Sequence, residues 1–371
     1  MDIAGLPAVI LFFMFLFSTK ICAYPQFFTQ DSARCLKCHT SENGHGFLNP
    51  NGKVFAIEQW AENKSKYYQI DLPAGFNLGL RTKHQQSFYQ SDYVKEAKFK
   101  DLSTEIRSEF SWNQLRSYFS IARYNPTETD ISFKDYLYIS NLYISYDANS
   151  YLKIKIGKYF LDYGFDQMNL NYDQNDYSMS GVQKGQSKNQ ATIFYAQDKY
   201  EIIFSKILSR ANYNRQFVED GYFLKYTYIV STEMLLGINF FKTTVKNILE
   251  NNEDQILQGI FGIYKPDSVQ TYLFQVDQNV SATNKKGISV LFRPSYVFKK
   301  GHLMTAALKY LNYDIELTDP KFLEVSFGYQ YFPFAQFNIF ANYKKTANTN
   351  LNTFIDDQRS DSINLDFNFL M

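Results

Sequence analysis

The sequence is poor in most of what would mark a helical membrane protein, a nucleic-acid binder or a metal-rich enzyme. Its 371 residues include three cysteines, four histidines, two tryptophans and nine prolines. Neither sign of charge dominates: 38 basic side chains face 37 acidic ones, for a formal net charge of +1. That balance excludes the polybasic footprint of a nucleic-acid protein. There is one long apolar run, Ile3 to Phe17, and a membrane-spanning helix needs about 20 such residues. No Gly-x-Ser-x-Gly, His-Glu-x-x-His or phosphate-loop motif occurs, so no hydrolytic constellation is legible. What the chain has in abundance is 30 tyrosines and 35 phenylalanines.

The apolar run ends before Ser18, Thr19 and Lys20, with small Ala23 as a cleavage position. This is the outline of a secretory signal peptide over 1–23. Asp2 in the leader and bulky Ile21 depart from the usual pattern, and an uncleaved anchor is the alternative. Cys22 follows Thr19, Lys20 and Ile21, which is not a lipobox.

Beyond residue 23 the remaining cysteines fall in one motif, Cys35-Leu36-Lys37-Cys38-His39. C-x-x-C-H is the attachment sequence of haem c. One helical turn sets both thiols beside a porphyrin edge, where they add to the vinyl groups, and swings His39 under the iron as proximal ligand. A Cys35–Cys38 disulfide and half of a zinc site are the competing readings. The segment 24–73 holds about 50 residues, a length that usually needs a metal, disulfide or partner to fold. Phe27, Phe28, Phe47, Leu48, Val54, Phe55, Ile57 and Trp60 are available to wrap a haem, with a turn at 49–52 and a short helix from Lys53 to Glu62.

From residue 74 the signal is period-2 alternation, the mark of strands with two unlike faces. Leu323, Val325, Phe327, Tyr329 and Tyr331 oppose Glu324, Ser326, Gly328 and Gln330. Glu105, Arg107 and Glu109 oppose Ile106 and Phe110, and Lys153 and Lys155 oppose Leu152, Ile154 and Ile156. Sixteen segments can be counted, from 75–85 through 322–331 and 335–343 to 361–371. Connectors after even-numbered segments are tight. Those after odd-numbered ones run long, including 86–102, 162–188 and 344–360. The pattern predicts an all-β fold, a 16-stranded antiparallel transmembrane barrel of the outer membrane over 74–371, behind a small α-helical haem segment. Ile363, Leu365, Phe367, Phe369 and Met371 alternate to the last residue, in the manner of the C-terminal signal read by barrel-insertion machinery. Most Tyr and Phe are expected as lipid-facing surface and girdles, and the charged set as a solvated inner wall.

An exported haem-c motif running directly into a sixteen-strand barrel resembles the fused outer-membrane cytochrome-porin family, best known for oxidising extracellular ferrous iron. The resemblance spans Tyr24 to Met371. Its specific part is Pro25-Gln26-Phe27, Cys35 to His39, Leu48-Asn49, Gly52 and Phe55; Gly46-Phe47 stands near where many members carry a proline. Ile154 to Tyr159 followed by Gly164 is also similar to a strand of phosphate- and pyrophosphate-selective porins.

The resemblance implies an electron conduit through one covalent haem c, in which the haem segment enters the lumen. Electrons would pass between an extracellular donor or acceptor such as Fe(II) and a periplasmic c-type cytochrome, in either direction. An iron-oxidase activity would follow from inward flow. The alternatives are a diffusion porin for small or anionic solutes with an accessory haem segment, and an adhesin-like barrel. Outer-membrane lipid is the expected surroundings, with the haem segment on the periplasmic side or inside the lumen. For the second axial ligand, the order of candidates is His84, at the end of the first predicted strand, then His45, then Met168 and Met179 in the longest loop. An open iron is the remaining case. The carboxylates of Asp356-Asp357 and of 250–254 are expected on long loops.

Overall fold

The computed structural model describes Val54, Ala56 and residues 61–63, 72–91, 95–124, 136–161, 187–209, 217–247, 253–267, 269–280, 286–312, 315, 321–334, 336–349 and 358–370. The leader, Cys35, Cys38, His39, His45, Met168 and Met179 lie outside the described residues. In chain order the strands are β1 (Phe76–Ser91), β2 (Lys95–Trp112), β3 (Leu115–Tyr124), β4 (Tyr136–Asp147), β5 (Leu152–Phe160), β6 (Ser187–Ala196), β7 (Tyr200–Ser209) and β8 (Phe217–Ile229). They continue as β9 (Met234–Asn247), β10 (Glu253–Tyr264), β11 (Gln270–Val280), β12 (Lys286–Lys299), β13 (His302–Asn312), β14 (Lys321–Phe334), β15 (Phe337–Thr349) and β16 (Gln358–Leu370). Every strand pairs with its sequence neighbours, and β1 closes the barrel by pairing antiparallel with β16, Arg81 opposite Leu370 and Ser91 opposite Ser360.

Alternation along each strand separates two walls. In β12 the shielded positions are Ser289, Leu291, Arg293, Ser295 and Val297, while Ile288, Val290, Phe292, Tyr296 and Phe298 face the other way and are more open. The polarity is the reverse of a soluble sandwich. Ile106, Phe110, Ile144, Ile156, Ile260, Phe327 and Ile363 are among the exposed side chains, whereas Arg107, Glu109, Lys155, Lys188, Asp277 and Glu324 are buried. A sheet that turns its apolar face outward and its charges inward is built for lipid outside, as in membrane barrels.

One rim carries the tight turns. β2 passes to β3 through Asn113 and Gln114, with Asn113 at φ 52, the left-handed backbone a two-residue hairpin requires. The opposite rim differs from the sequence expectation at its first connection. Residues 86–102 do not form a long loop: β1 runs to Ser91 and β2 starts at Lys95, so only 92–94 connect them. The reason is physical. His84-Gln85-Gln86-Ser87 and Lys98-Phe99-Lys100-Asp101 are mostly polar in sequence, so they lack the period-2 apolar signal by which a strand is read. Likewise Glu253 and Asp254 belong to β10, not to a loop. Asp254 accepts a hydrogen bond from Thr244 at 2.6 Å and lies 3.8 Å from Lys242.

Candidate functional site

The inner wall combines charges with apolar and aromatic groups, and both are shielded. On β3, β4 and β5 the rings of Tyr118 and Tyr143 stack at 5.1 Å, and Tyr159 meets Tyr143 edge-on at 5.5 Å. Lys155 Nζ lies 4.0 Å from the centroids of both Tyr143 and Tyr159, within the range of a cation–π contact. Tyr159 donates to Thr192 Oγ1 at 2.6 Å, and Thr192 meets Ser205 at 2.7 Å. The stack passes over Gly157, whose φ is 145. A Cβ there would come within 2.6 Å of the Tyr143 backbone. Across β13, β14 and β15, the buried Glu324 carboxylate forms ion pairs with Lys309 at 3.2 Å and Lys344 at 2.9 Å.

Two apolar clusters also face inward. One joins Leu235, Phe261, Ile263, Leu273, Leu291, Ala307 and Phe340; the other joins Leu161, Phe194, Ala196, Ile203, Ile207, Phe223, Phe241 and Leu257. Phe223, Phe241 and Phe261 are 0% exposed and Lys155 and Lys188 are 1% exposed. Among the described residues the exposed Tyr and Phe, such as Phe110, Tyr146, Phe204 and Phe327, outnumber the buried ones, as expected for an outward aromatic face. One expectation is corrected here: the inner charges Arg107, Glu109, Lys153 and Lys155 are buried instead of solvated. Segments such as Tyr222-Phe223-Leu224 are apolar on both faces, so alternation alone could not assign them.

On the short-turn rim the chain ahead of the barrel makes a second constellation. Ala56 and Ala61 are 1% and 0% exposed, and Ala61 N–H donates to Ala56 C=O at 3.0 Å, closing a wide helical turn within the predicted 53–62 helix. Immediately after it, Glu62 N–H donates to Phe332 C=O at 2.9 Å, and Asn63 donates to Pro333 C=O from both its backbone and its side chain. The Glu62 carboxylate receives Lys299 Nζ at 2.6 Å and the Tyr331 hydroxyl at 2.5 Å, with His302 Nε2 at 3.5 Å. The Lys299 hydrogen bond, then those of Tyr331 and His302, hold this carboxyl down to about 2 against an ordinary 4.5. His302 is itself fixed: Nδ1 meets Tyr329 Oη at 2.7 Å and its ring stacks on Tyr331 at 4.7 Å. Phe298, His302, Tyr329 and Tyr331 occupy the outward face of β12, β13 and β14. This cluster was not legible in the sequence, because Glu62 and Lys299 lie 237 positions apart.

Of the residues singled out from the sequence, Cys35, Cys38, His39 and His45 lie outside the described residues. His84 is described, and its place differs from expectation. It sits mid-strand in β1, opposite Phe367 of β16 and beside a bulge at Lys83/His84. Phe367 and Phe88 share its side of the pleat, so His84 faces outward, away from the lumen. Among the described residues no group of three His, Cys, Asp or Glu side chains comes together to hold a metal.

A closed sixteen-strand barrel with short turns on one rim, an apolar outer wall and charged inner wall defines a class: a porin-type barrel of the bacterial outer membrane. Solved structures bear the same fold. The outer-membrane channel DcaP of Acinetobacter baumannii superposes with a TM-score of 0.63 at 9% identity, covering 82% of this chain and 100% of that one. OmpT of Vibrio cholerae gives 0.60 at 10% identity over 82% and 100% of the two chains. The anion-selective porin of Comamonas acidovorans gives 0.59 at 8% identity over 80% and 99%. No family model matches the sequence, and no curated protein matches it. With the plan of that fold, the short-turn rim and the Glu62 cluster face the periplasm.

Proposed function

We propose that the protein is an outer-membrane electron conduit, carrying electrons between an extracellular donor or acceptor and a periplasmic cytochrome through one covalent haem c. Cys35 and Cys38 would hold the haem through thioethers and His39 would ligate its iron. Bound there, the haem supplies a one-electron centre. The observation that carries the reading is the single C-x-x-C-H motif, Cys35 to His39, lying behind an export-type leader and running directly into the barrel. Ferrous iron is the donor the family resemblance favours.

A second reading, a diffusion porin for small anionic solutes, draws on a different observation. The fold is shared with diffusion channels, one of them described as anion-selective, and the inner wall carries Arg107, Lys153, Lys155, Lys188, Lys225 and Arg293. One pair of measurements separates the two. The full-length chain, produced with haem-maturation machinery, is placed in liposomes that enclose an oxidised cytochrome c, and ferrous iron is added outside; conductance is measured in planar bilayers. The conduit reading expects reduction of the enclosed cytochrome, abolished by Cys35→Ala with Cys38→Ala, and little ion current. Large steady conductance with no dependence on the two cysteines would establish the porin reading instead.

A further inference from the structure

We infer that the outward periplasmic edge of β12–β14 is a docking surface for the chain's own N-terminal segment, with Glu62 as the latch. The aromatic face of His302 and Tyr331 carries two hydrogen-bonding groups pointing to one spot, and Lys299 adds a charge from the adjoining turn. A lone carboxylate fits that set of one ammonium, one phenol and one imidazole. The rim also offers backbone carbonyls at Phe332 and Pro333, which receive the N–H groups of Glu62 and Asn63. Those carbonyls lie near the end of β14.

The turn that faces the latch is shaped for close approach. Gly301 has φ +82, and a Cβ on it would stand 2.9 Å from Glu62 Cβ and 3.1 Å from Glu62 N. Any other residue would be strained in that backbone and would also press on the docked segment. The consequence is positional. The chain ahead of the barrel is anchored at Glu62 and Asn63, on the rim beside β12–β14. Glu62 is therefore a positioning residue. Nothing in this inference requires haem, so it stands or falls apart from the proposed function.

The test uses the full-length protein in detergent or liposomes, with barrel integrity checked by heat-modifiable gel mobility. A zero-length carbodiimide reagent should join Glu62 to Lys299 as an isopeptide, detected by mass spectrometry and lost in Glu62→Gln. Glu62→Lys should speed protease release of the N-terminal segment several-fold from an intact barrel, since cleavage follows the population of the open form. The charge reversal Glu62→Lys with Lys299→Glu should slow it again. Absence of the isopeptide from the wild-type protein, or release at the wild-type rate in Glu62→Lys, would overturn the assignment.

Discussion

A single carboxylate illustrates how much a folded surface can ask of one residue. Glu62 is held near 2 chiefly by Lys299, with Tyr331 and His302 adding to it. Its ordinary value is 4.5, so the charge that closes the latch is fully formed above that pH and is lost only as pH falls through about 2. Protease release of the N-terminal segment is therefore expected to be flat from pH 7 to pH 5 and to rise toward pH 2, with Glu62→Gln already fast at neutral pH. A second expectation at this scale concerns the haem motif. Haem should survive denaturation, and Cys35→Ala with Cys38→Ala should abolish in-gel peroxidase staining. A third concerns the axial ligand. Because His84 is paired with Phe367 on the lipid side, His84→Ala should leave the haem spectrum unchanged. A shift in the Soret or charge-transfer bands on that substitution would place the ring inside the lumen.

Strands were the most legible element, and the reasons are local. The segment predicted at 115–124 coincides with β3, and predicted 200–208 falls inside β7 (Tyr200–Ser209). Lipid on one side and polar groups on the other write a period of two directly into the sequence. The inner placement of Glu105, Arg107, Lys153 and Lys155, and of Glu324, Ser326, Gly328 and Gln330, was readable for the same reason. Three things were not. Strand ends beyond the lipid have no apolar face to betray them, as in 95–101 of β2. Strands apolar on both sides, such as 222–224, hide which face is inner. Contacts between distant parts of the chain, such as Glu62 with Lys299, leave no periodic trace at all. The inner wall gives its own tests. Gly157→Ala forces a Cβ against Tyr143 in a backbone that strains side-chain-bearing residues, and should destabilise the barrel by about 1–3 kcal/mol, read as a lower urea midpoint of the folded gel form. Glu324→Ala leaves Lys309 and Lys344 without their shared carboxylate and should cost about 3–5 kcal/mol. A topology test follows from the alternating connectors. An epitope placed in 162–186 should be reached by antibody on intact cells, and one in 148–151 should not.

At the scale of the whole molecule, closure of the ring by β1 and β16 makes the two ends of the barrel domain neighbours. The surface that holds Glu62 belongs to strands made late, since Lys299, Tyr331 and Pro333 all follow it by more than two hundred positions. That separation fixes an order of events in biogenesis. While the first dozen strands emerge in the periplasm, Glu62 has no seat. Once β12 to β14 are in place the seat exists and the segment can be locked against the rim.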